Sequence, residues 1–510
     1  MRVTNSMISK NSMSNMNNNK LNVSKLNNQM SSQKKILRPS EDPVIAIRAL
    51  RLRSNLNELN QYFERNIPDA QSWLEVTEGA LDNMEKILDS VYKKCDQGAN
   101  DTLSEKDRAA ILKDLESARH QIYAEGNADC IGRTVFTGYK TNSKLTFSED
   151  ENDTKYEISE KLSYKDIEEE RFYGNLVDLP ASSQDVLEGV AIEDMPQDYT
   201  HKRIRLSYEG LDDLSPENIK YIDEDGNEQY LSDLEFQSGN RVVFANVTTT
   251  KSYSEWAKEG YRVGANEAIF FKETGELILG DDLANYLGSS KTELSIDYSK
   301  QGFKKGELRP EHYFNCKDVT DANHPITYTK SNQEIQFTIA FNQSLTVNTQ
   351  ASDVLDTGIG RDIDEMANVV EAAVAAHDKV DKLKAMKKET QYADPEYQEA
   401  LDEWIEAAEK EAAYADDNLQ KTFAHGMTKF QEYKKQVTLA RTDLGSREDR
   451  LNLTNNRMSN QQATFENLKA RNEDKELSDI IIEFTAAYNA YQASLQASAK
   501  ANGQTLLNYL

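Results

Sequence analysis

The stretch FAHGMTKFQEYKKQVTLARTDLGSREDRLNLTNNRMSNQQATF, residues 423–465, places an apolar side chain at every seventh position. Phe423, Phe430, Val437, Leu444, Leu451, Met458 and Phe465 carry the repeat. A strict seven-residue period drifts around a straight helix. It stays buried only if the helix winds about a neighbour. The spacing therefore predicts a long helix in a coiled-coil-like bundle. Burying a large apolar side chain is worth roughly 1.5–3 kcal/mol, so the seam outweighs the poor helix propensity of Gly426 and Gly445.

A partner for this helix lies near the other end of the chain. After Pro68, small or apolar residues recur at Ala70, Leu74, Thr77, Leu81, Met84, Leu88 and Val91, in alternating steps of four and three. A second helix is expected from Ser104, with Asp107 three residues on in a capping-box-like start. Ile111, Leu115, Ala118 and Ile122 form its stripe, and Gly126 is its stop. Ahead of both, Arg38-Pro39-Ser40-Glu41-Asp42-Pro43 reads as a helix start. Asp42 serves as N-cap and Pro43 as the first helical residue, where a missing N–H costs nothing.

The two extremities are patterned for partners. Asn472 interrupts the sevenfold series. Leu477, Ile481, Phe484, Tyr488, Tyr491 and Leu495 then make a stripe suited to one other helix. Residues 1–35 carry Val3, Met7, Leu21, Leu26 and Met30 among Asn and Ser, which are weak helix formers. This segment is expected to order only against a partner. Leu506, Leu507, Tyr509 and Leu510 have a similar need for cover.

The middle shifts to a period of two. Ile204, Leu206 and Tyr208 alternate with polar residues, and Arg241–Phe244 is rich in strand formers. Phe270-Phe271, Thr274-Gly275 and Leu277–Leu279 read as a hairpin, and Gln336–Phe341 as another strand. Helical spacing returns at Ile363, Met366, Val370 and Val374, and Asp394-Pro395 opens a further helix. The expected fold is α+β: a long coiled-coil-like bundle from both chain ends, with a β-rich domain inserted between them. Residues 1–42 and 470–510 are expected as terminal assembly helices, disordered in the monomer. Residues 43–141 and 351–469 form the bundle with a short hairpin, and 142–350 the acidic insertion. The bundle seam is assigned to Leu74, Leu81, Met84, Leu88, Phe430, Val437, Leu444, Leu451, Met458 and Phe465.

Charge excludes several classes of function. The 510 residues carry a formal net charge of -27. Residues 149–235 hold 26 acids against eight bases, whereas residues 1–60 hold ten bases against three acids. Nucleic-acid binding runs on Lys and Arg, and the N-terminal cations are scattered and not interleaved with aromatics. Neither a bilayer-length apolar run nor a signal-peptide core is present, so no membrane role is expected. The cysteines, Cys95, Cys130 and Cys316, are too few for a disulfide framework. No two of the six histidines have metal spacing, and Gly358-Ile359-Gly360 lacks the rest of any phosphate loop. Asp223–Glu228 is similar to a calcium loop in composition, yet the Gly226 register puts Tyr221 at the first ligand position. A hairpin turn at Asp225-Gly226 fits better. No cofactor, metal or catalytic residue is expected.

Three segments carry a family resemblance. Arg38–Pro43 resembles the helix start of the flagellar hook-associated protein three family, the hook–filament junction proteins of the flagellin superfamily. Thr77-Glu78-Gly79-Ala80-Leu81 is similar to the first long helix of that superfamily. Gly132-Arg133-Thr134-Val135-Phe136-Thr137-Gly138-Tyr139-Lys140-Thr141 resembles the hairpin of the junction family. The heptads from Ser446 to Leu510 are also flagellin-like, so the resemblance covers about 1–142 and 420–510. The N-terminal signature usual in filament-forming flagellin is not what stands at 38–46.

The resemblance implies a structural, non-enzymatic subunit of the bacterial flagellum, joining hook to filament. It further implies export through the flagellum's own secretion apparatus without a cleaved signal. The implied partners are the adjacent hook-associated protein, flagellin, further copies of the chain in a ring, and an export chaperone on the C-terminal helix. Assembly and chaperone binding then fall to Val3, Met7, Met30, Leu477, Ile481, Phe484, Tyr488, Tyr491 and Leu495. The alternatives are a filament-forming flagellin, or an enzymatic or adhesive insertion carried on a flagellar scaffold.

Overall fold

The computed structural model describes residues 5–99, 105–190, 195–222, 226–238, 241–244, 246–248, 252, 256 and 262–502. Val3, Ser104, Leu506, Leu507, Tyr509 and Leu510 lie outside the described residues. The chain divides into two compact units: Met1–Gln71, Phe337–Leu345 and Glu448–Leu510, and Ser72–Gln336 with Thr346–Arg447. Two of the four limits fall in the strands of a hairpin, at 336/337 and 345/346, and the other two within long helices, at 71/72 and 447/448. In cross-section a helical seam is the same on either side of such a limit, so periodicity does not mark it.

In the terminal unit α1 spans Asn5–Ser32 and α2 Pro43–Gln61. The Asp42 side chain accepts from the Val44 and Ile45 amides at 3.0 and 3.1 Å, with Pro43 in the first turn. A π-helical turn, Tyr62–Asn66, connects α2 to α3, Ile67–Gly98. Pro68 has no N–H for the carbonyl four residues back, and the wider turn absorbs that loss without ending the helix. Gln336–Ala340 and Gln343–Thr346 pair as a hairpin around Phe341 and Asn342, the latter at φ 54°.

The second unit contains α4, Glu105–Gly126, and α5, Gly358–Met386. The last two helices among the described residues are α6, Pro395–Glu473, and α7, Leu477–Asn502. Within the second unit Leu74, Thr77, Leu81, Met84, Leu88 and Val91 are buried, and Cys95 continues their heptad. Phe423, Phe430, Val437 and Leu444 are buried on α6. In the terminal unit Leu451 and Met458 are buried and Phe465 is half-buried. Gly426 is more than a tolerated defect. A Cβ there would stand 3.1 Å from Met366 Sδ and 3.6 Å from Cys95 Sγ, so its absence lets α3, α5 and α6 close together. Lys434–Asp89 at 2.6 Å and Arg441–Glu85 at 3.0 Å flank the same junction.

The short hairpin turns at Ile131 and Gly132, both at positive φ, between the paired segments Asp129–Cys130 and Arg133–Thr134. Beyond it the β-rich region begins. Besides a separate two-stranded pair, Glu235–Ser238 with Arg241–Phe244, its strands are β1 Glu151–Ser163, β2 Ile167–Gly174, β3 Gln197–Arg205, β4 Ile219–Ile222, β5 Glu228–Tyr230, β6 Asn246–Thr248, β7 Glu267–Phe271, β8 Glu276–Leu279, β9 Glu293–Phe303, β10 Asn315–Asp318 and β11 Ile326–Tyr328. One antiparallel sheet has the order β11-β10-β1-β9-β4-β5. The other runs β6-β7-β8-β3-β2, with only β6 and β7 parallel. Phe270 opposes Leu277 across β7 and β8, and Gly275 turns between them at φ 65°. The β4–β5 pairing is what a turn near Gly226 requires, while residues 223–225 lie outside the described residues.

Alternation on β3 has a second use. Ile204 joins Ile158, Phe270, Leu277, Ile296 and Phe303 in the core shared by the two sheets. Arg203 and Arg205 point the other way, where a solvated face would be the simple expectation. Instead Arg203 is buried and Arg205 largely so, both against α5. Each reaches Glu365 at 2.6 Å; Arg203 also meets Glu276 at 2.7 Å, and Arg205 meets Asp362. Tyr433 on α6 donates to Asp362 at 2.7 Å, and Lys429 meets Glu168 at 2.8 Å. This network is one of side chains that leave water together, because an unpaired charge here would be costly.

Candidate assembly surface

α1 and α7 pack as an antiparallel pair. Ser12 Oγ lies 2.7 Å from Ser498 Oγ, and Asn19 Nδ2 donates to the Ala490 carbonyl at 3.5 Å. On α1 the less exposed residues Ser9, Ser12, Met16, Asn19, Val23, Leu26 and Met30 step three and four, and near its end Gln29 is buried and Ser32 half-buried. On α7 they are Ile480, Phe484, Ala487, Tyr491, Ser494 and Ser498, stepping four and three. Both are heptad seams, but polar and small residues occupy much of each. Such a seam buries little apolar area and leaves the pair weakly held.

The stripe expected from sequence on α7 divides here. Phe484 and Tyr491 lie in the seam with α1, half-buried, and Phe484 stacks on Tyr488 with ring centroids 6.0 Å apart. Leu477, Ile481, Tyr488 and Leu495 are exposed on an adjoining face. On α1, Met30 is half-buried, whereas Met7 is 55% exposed, beside exposed Ile8 and Met13. Sequence reading missed Ile480, among the described residues the one on α7 that is fully buried (0% exposed), because Ala487, Ser494 and Ser498 on its line give no apolar signal.

A clasp holds the base of this pair. α1 stops at Gln33, φ 54°, and the chain there bridges to the break between α6 and α7. The Lys35 amide donates to the Glu473 carbonyl at 2.8 Å, and the Lys475 amide to the Gln33 carbonyl at 3.0 Å. Arg53 grips Glu473 through two bonds of 2.8 and 2.6 Å, and Lys34 pairs with Asp474. The Arg53 hydrogen bonds hold the Glu473 carboxyl below its ordinary pKa. Asn472 Nδ2 donates to the Ile45 carbonyl at 3.1 Å, which ties the same point to α2. The residue that interrupts the sevenfold series is thus a structural tie. Spacing showed the interruption but not its partner.

No helix among the described residues is long and apolar enough to cross a membrane. Among the described residues no group of three His, Cys, Asp or Glu side chains is placed to hold a metal ion. What the terminal unit offers is helix surface: two paired termini fixed by a clasp, with apolar residues left outside their own seam.

Residues 3–141 match the bacterial flagellin N-terminal helical region, and residues 427–510 the bacterial flagellin C-terminal helical region. At both ends, then, the chain is similar to the flagellin superfamily. It is 32% identical to flagellar hook-associated protein 3 of Salmonella typhimurium over 145 residues, 28% of this chain and 45% of that protein. It is 30% identical to a flagellin of Clostridium tyrobutyricum over 122 residues, 24% of this chain and 32% of that one. The chain spans about half the length, or less, of the curated relatives it matches. The crystal structure of a flagellar junction protein from Legionella pneumophila aligns over 83% of this chain and 100% of that one, at 11% identity and a TM-score of 0.28. That likeness is too loose to bear on the fold.

Proposed function

We propose that this chain is a structural subunit of the bacterial flagellum that joins the hook to the filament. The observation that carries the reading is the pairing of both termini in one helical unit, on segments that match flagellin's two terminal regions. The junction is favoured over the filament by the relatives named hook-associated protein 3, matched over more of this chain than the flagellin is. The work is binding, with no catalytic step. Its partners on this reading are the adjacent hook-associated protein, flagellin and further copies of the chain in a ring. Before assembly, an export chaperone covers the exposed face of α7, and the chain leaves through the flagellar secretion apparatus without a cleaved signal.

Electron microscopy of a strain lacking the gene tests the reading. A junction subunit leaves hooks without filaments and flagellin shed into the medium. Filaments that remain attached to hooks would overturn it. Hooks without filaments but with no flagellin in the medium would identify the chain as the filament protein.

A further inference from the structure

Two helix faces in the terminal unit are apolar, exposed and of opposite charge. The first is on α2, where Val44, Ile47 and Leu50 recur every three residues and all face solvent, Leu50 with 64% of its surface exposed. Arg48 and Arg51 stand exposed beside them and form no salt bridge among the described residues. The buried side of the same helix, Ala46, Ala49, Leu56 and Leu59, already supplies its packing, so the outer stripe is surplus to the fold of the unit. The second face is at the start of α7. Leu477, Ile481 and Ile482 are exposed there, Ile482 to 68%. Glu476 and Asp479 flank them and form no salt bridge among the described residues, while Glu483 is taken by Lys475 at 2.5 Å.

We propose that these two faces are the halves of one contact between copies of this chain, the basic stripe of α2 in one copy seated on the acidic start of α7 in the next. The inference rests on the subunit reading above and names the surfaces that reading leaves open. Charge complementarity selects the occupant. In a chain of net charge -27, a stripe carrying only unpaired arginines would draw many acidic surfaces, but the match here includes an apolar face of similar length. The two faces differ, so the contact is heterologous. A heterologous contact repeats head to tail and generates a ring or a helical array, whereas an isologous one stops at a dimer. Exposed apolar residues at both faces supply the area, and the charges supply register.

The test traps the contact in the purified full chain. Leu50→Cys with Ile482→Cys, under mild oxidation at high protein concentration, should give a ladder of disulfide-linked dimers, trimers and larger species. Each single cysteine should give at most dimers. The native Cys95, Cys130 and Cys316 are buried and contribute little background. Adding Arg48→Glu and Arg51→Glu, or Glu476→Lys and Asp479→Lys, should lower the ladder yield at least tenfold, about 1.4 kcal/mol. Mixing the two charge-reversed chains should restore it, because each reversed face then meets a complementary one. That recovery also shows that both variants are folded. Absence of a ladder, or a yield indifferent to reversal, overturns the proposal even if the deletion strain behaves as a junction mutant. A ladder with filaments still attached in the deletion strain would instead overturn the junction reading and leave the contact standing.

Discussion

Single residues in the second unit show where burial sets the chemistry. Glu170 faces the network of Arg203, Glu168, Glu276 and Glu365. Loss of water and the three neighbouring carboxylates raise its pKa to about 7, against the pull of Arg203. A carboxyl raised above its unfolded value binds its proton more tightly in the folded state. Its contribution to stability is therefore full below the unfolded value and is lost as pH rises through about 7. Glu170→Gln removes that dependence. The variant should be more stable than the parent at about pH 8 and little different at about pH 5, by thermal unfolding at both. An equal shift at the two pH values would show that Glu170 is ionised throughout. Gly275 is a geometric counterpart. It holds φ 65°, and a Cβ there would lie 2.1 Å from the Tyr208 carbonyl oxygen. Gly275→Ala should cost more than the ~1–2 kcal/mol of a left-handed alanine, because backbone atoms must also move. Hydrogen exchange along β7 and β8 should rise with it.

At the scale of elements, a helix is legible in sequence when its buried line is made of large side chains. The sevenfold series from Phe423 to Met458 is buried throughout, and the α3 series from Leu74 to Val91 likewise. Period alone was enough there, because a bundle needs only that the line recur. On α7 the line facing α1 contains Ala487, Ser494 and Ser498, so the eye follows Leu477, Ile481, Tyr488 and Leu495 on the adjoining, exposed face. β3 failed differently: Arg203 and Arg205 alternate with Ile204 as a solvated face would, and only their partners on α5, far off in sequence, bury them. These cases separate two substitutions. Leu451→Asp puts a charge into a closed seam, which should destabilise the terminal unit by several kcal/mol and show as a large loss of helical ellipticity on mild heating. Phe484→Glu strikes a half-buried seam that is weakly held. It should loosen α1 and α7 with the second unit's β signal unchanged, whereas Ile481→Glu on the exposed face should weaken chaperone binding in calorimetry. Unchanged binding would place the chaperone elsewhere.

For the whole molecule the two compact units imply unequal resistance. The second has a two-sheet core, a helical seam and a buried ion network. In the terminal unit the α1–α7 pair contributes a seam in which Ser12 meets Ser498 and Asn19 meets a backbone carbonyl. Local opening follows buried apolar contact, so this pair should open first and at the least free energy. The clasp decides where opening stops. Arg53, Glu473 and the two backbone bonds between residues 33–35 and 473–475 fix the base of the pair, so helix beyond that point should not fray with it. Limited proteolysis of the full chain should therefore remove both ends and pause near residues 33–42 and 474–476. Glu473→Gln keeps the shape but weakens the charge-assisted bonds to Arg53. It should leave the second unit's melting unchanged and accelerate the appearance of both trimmed ends together, since one clasp serves both termini. If only one end were released faster, the two termini would be held independently. If neither changed, the backbone bonds alone would be the clasp.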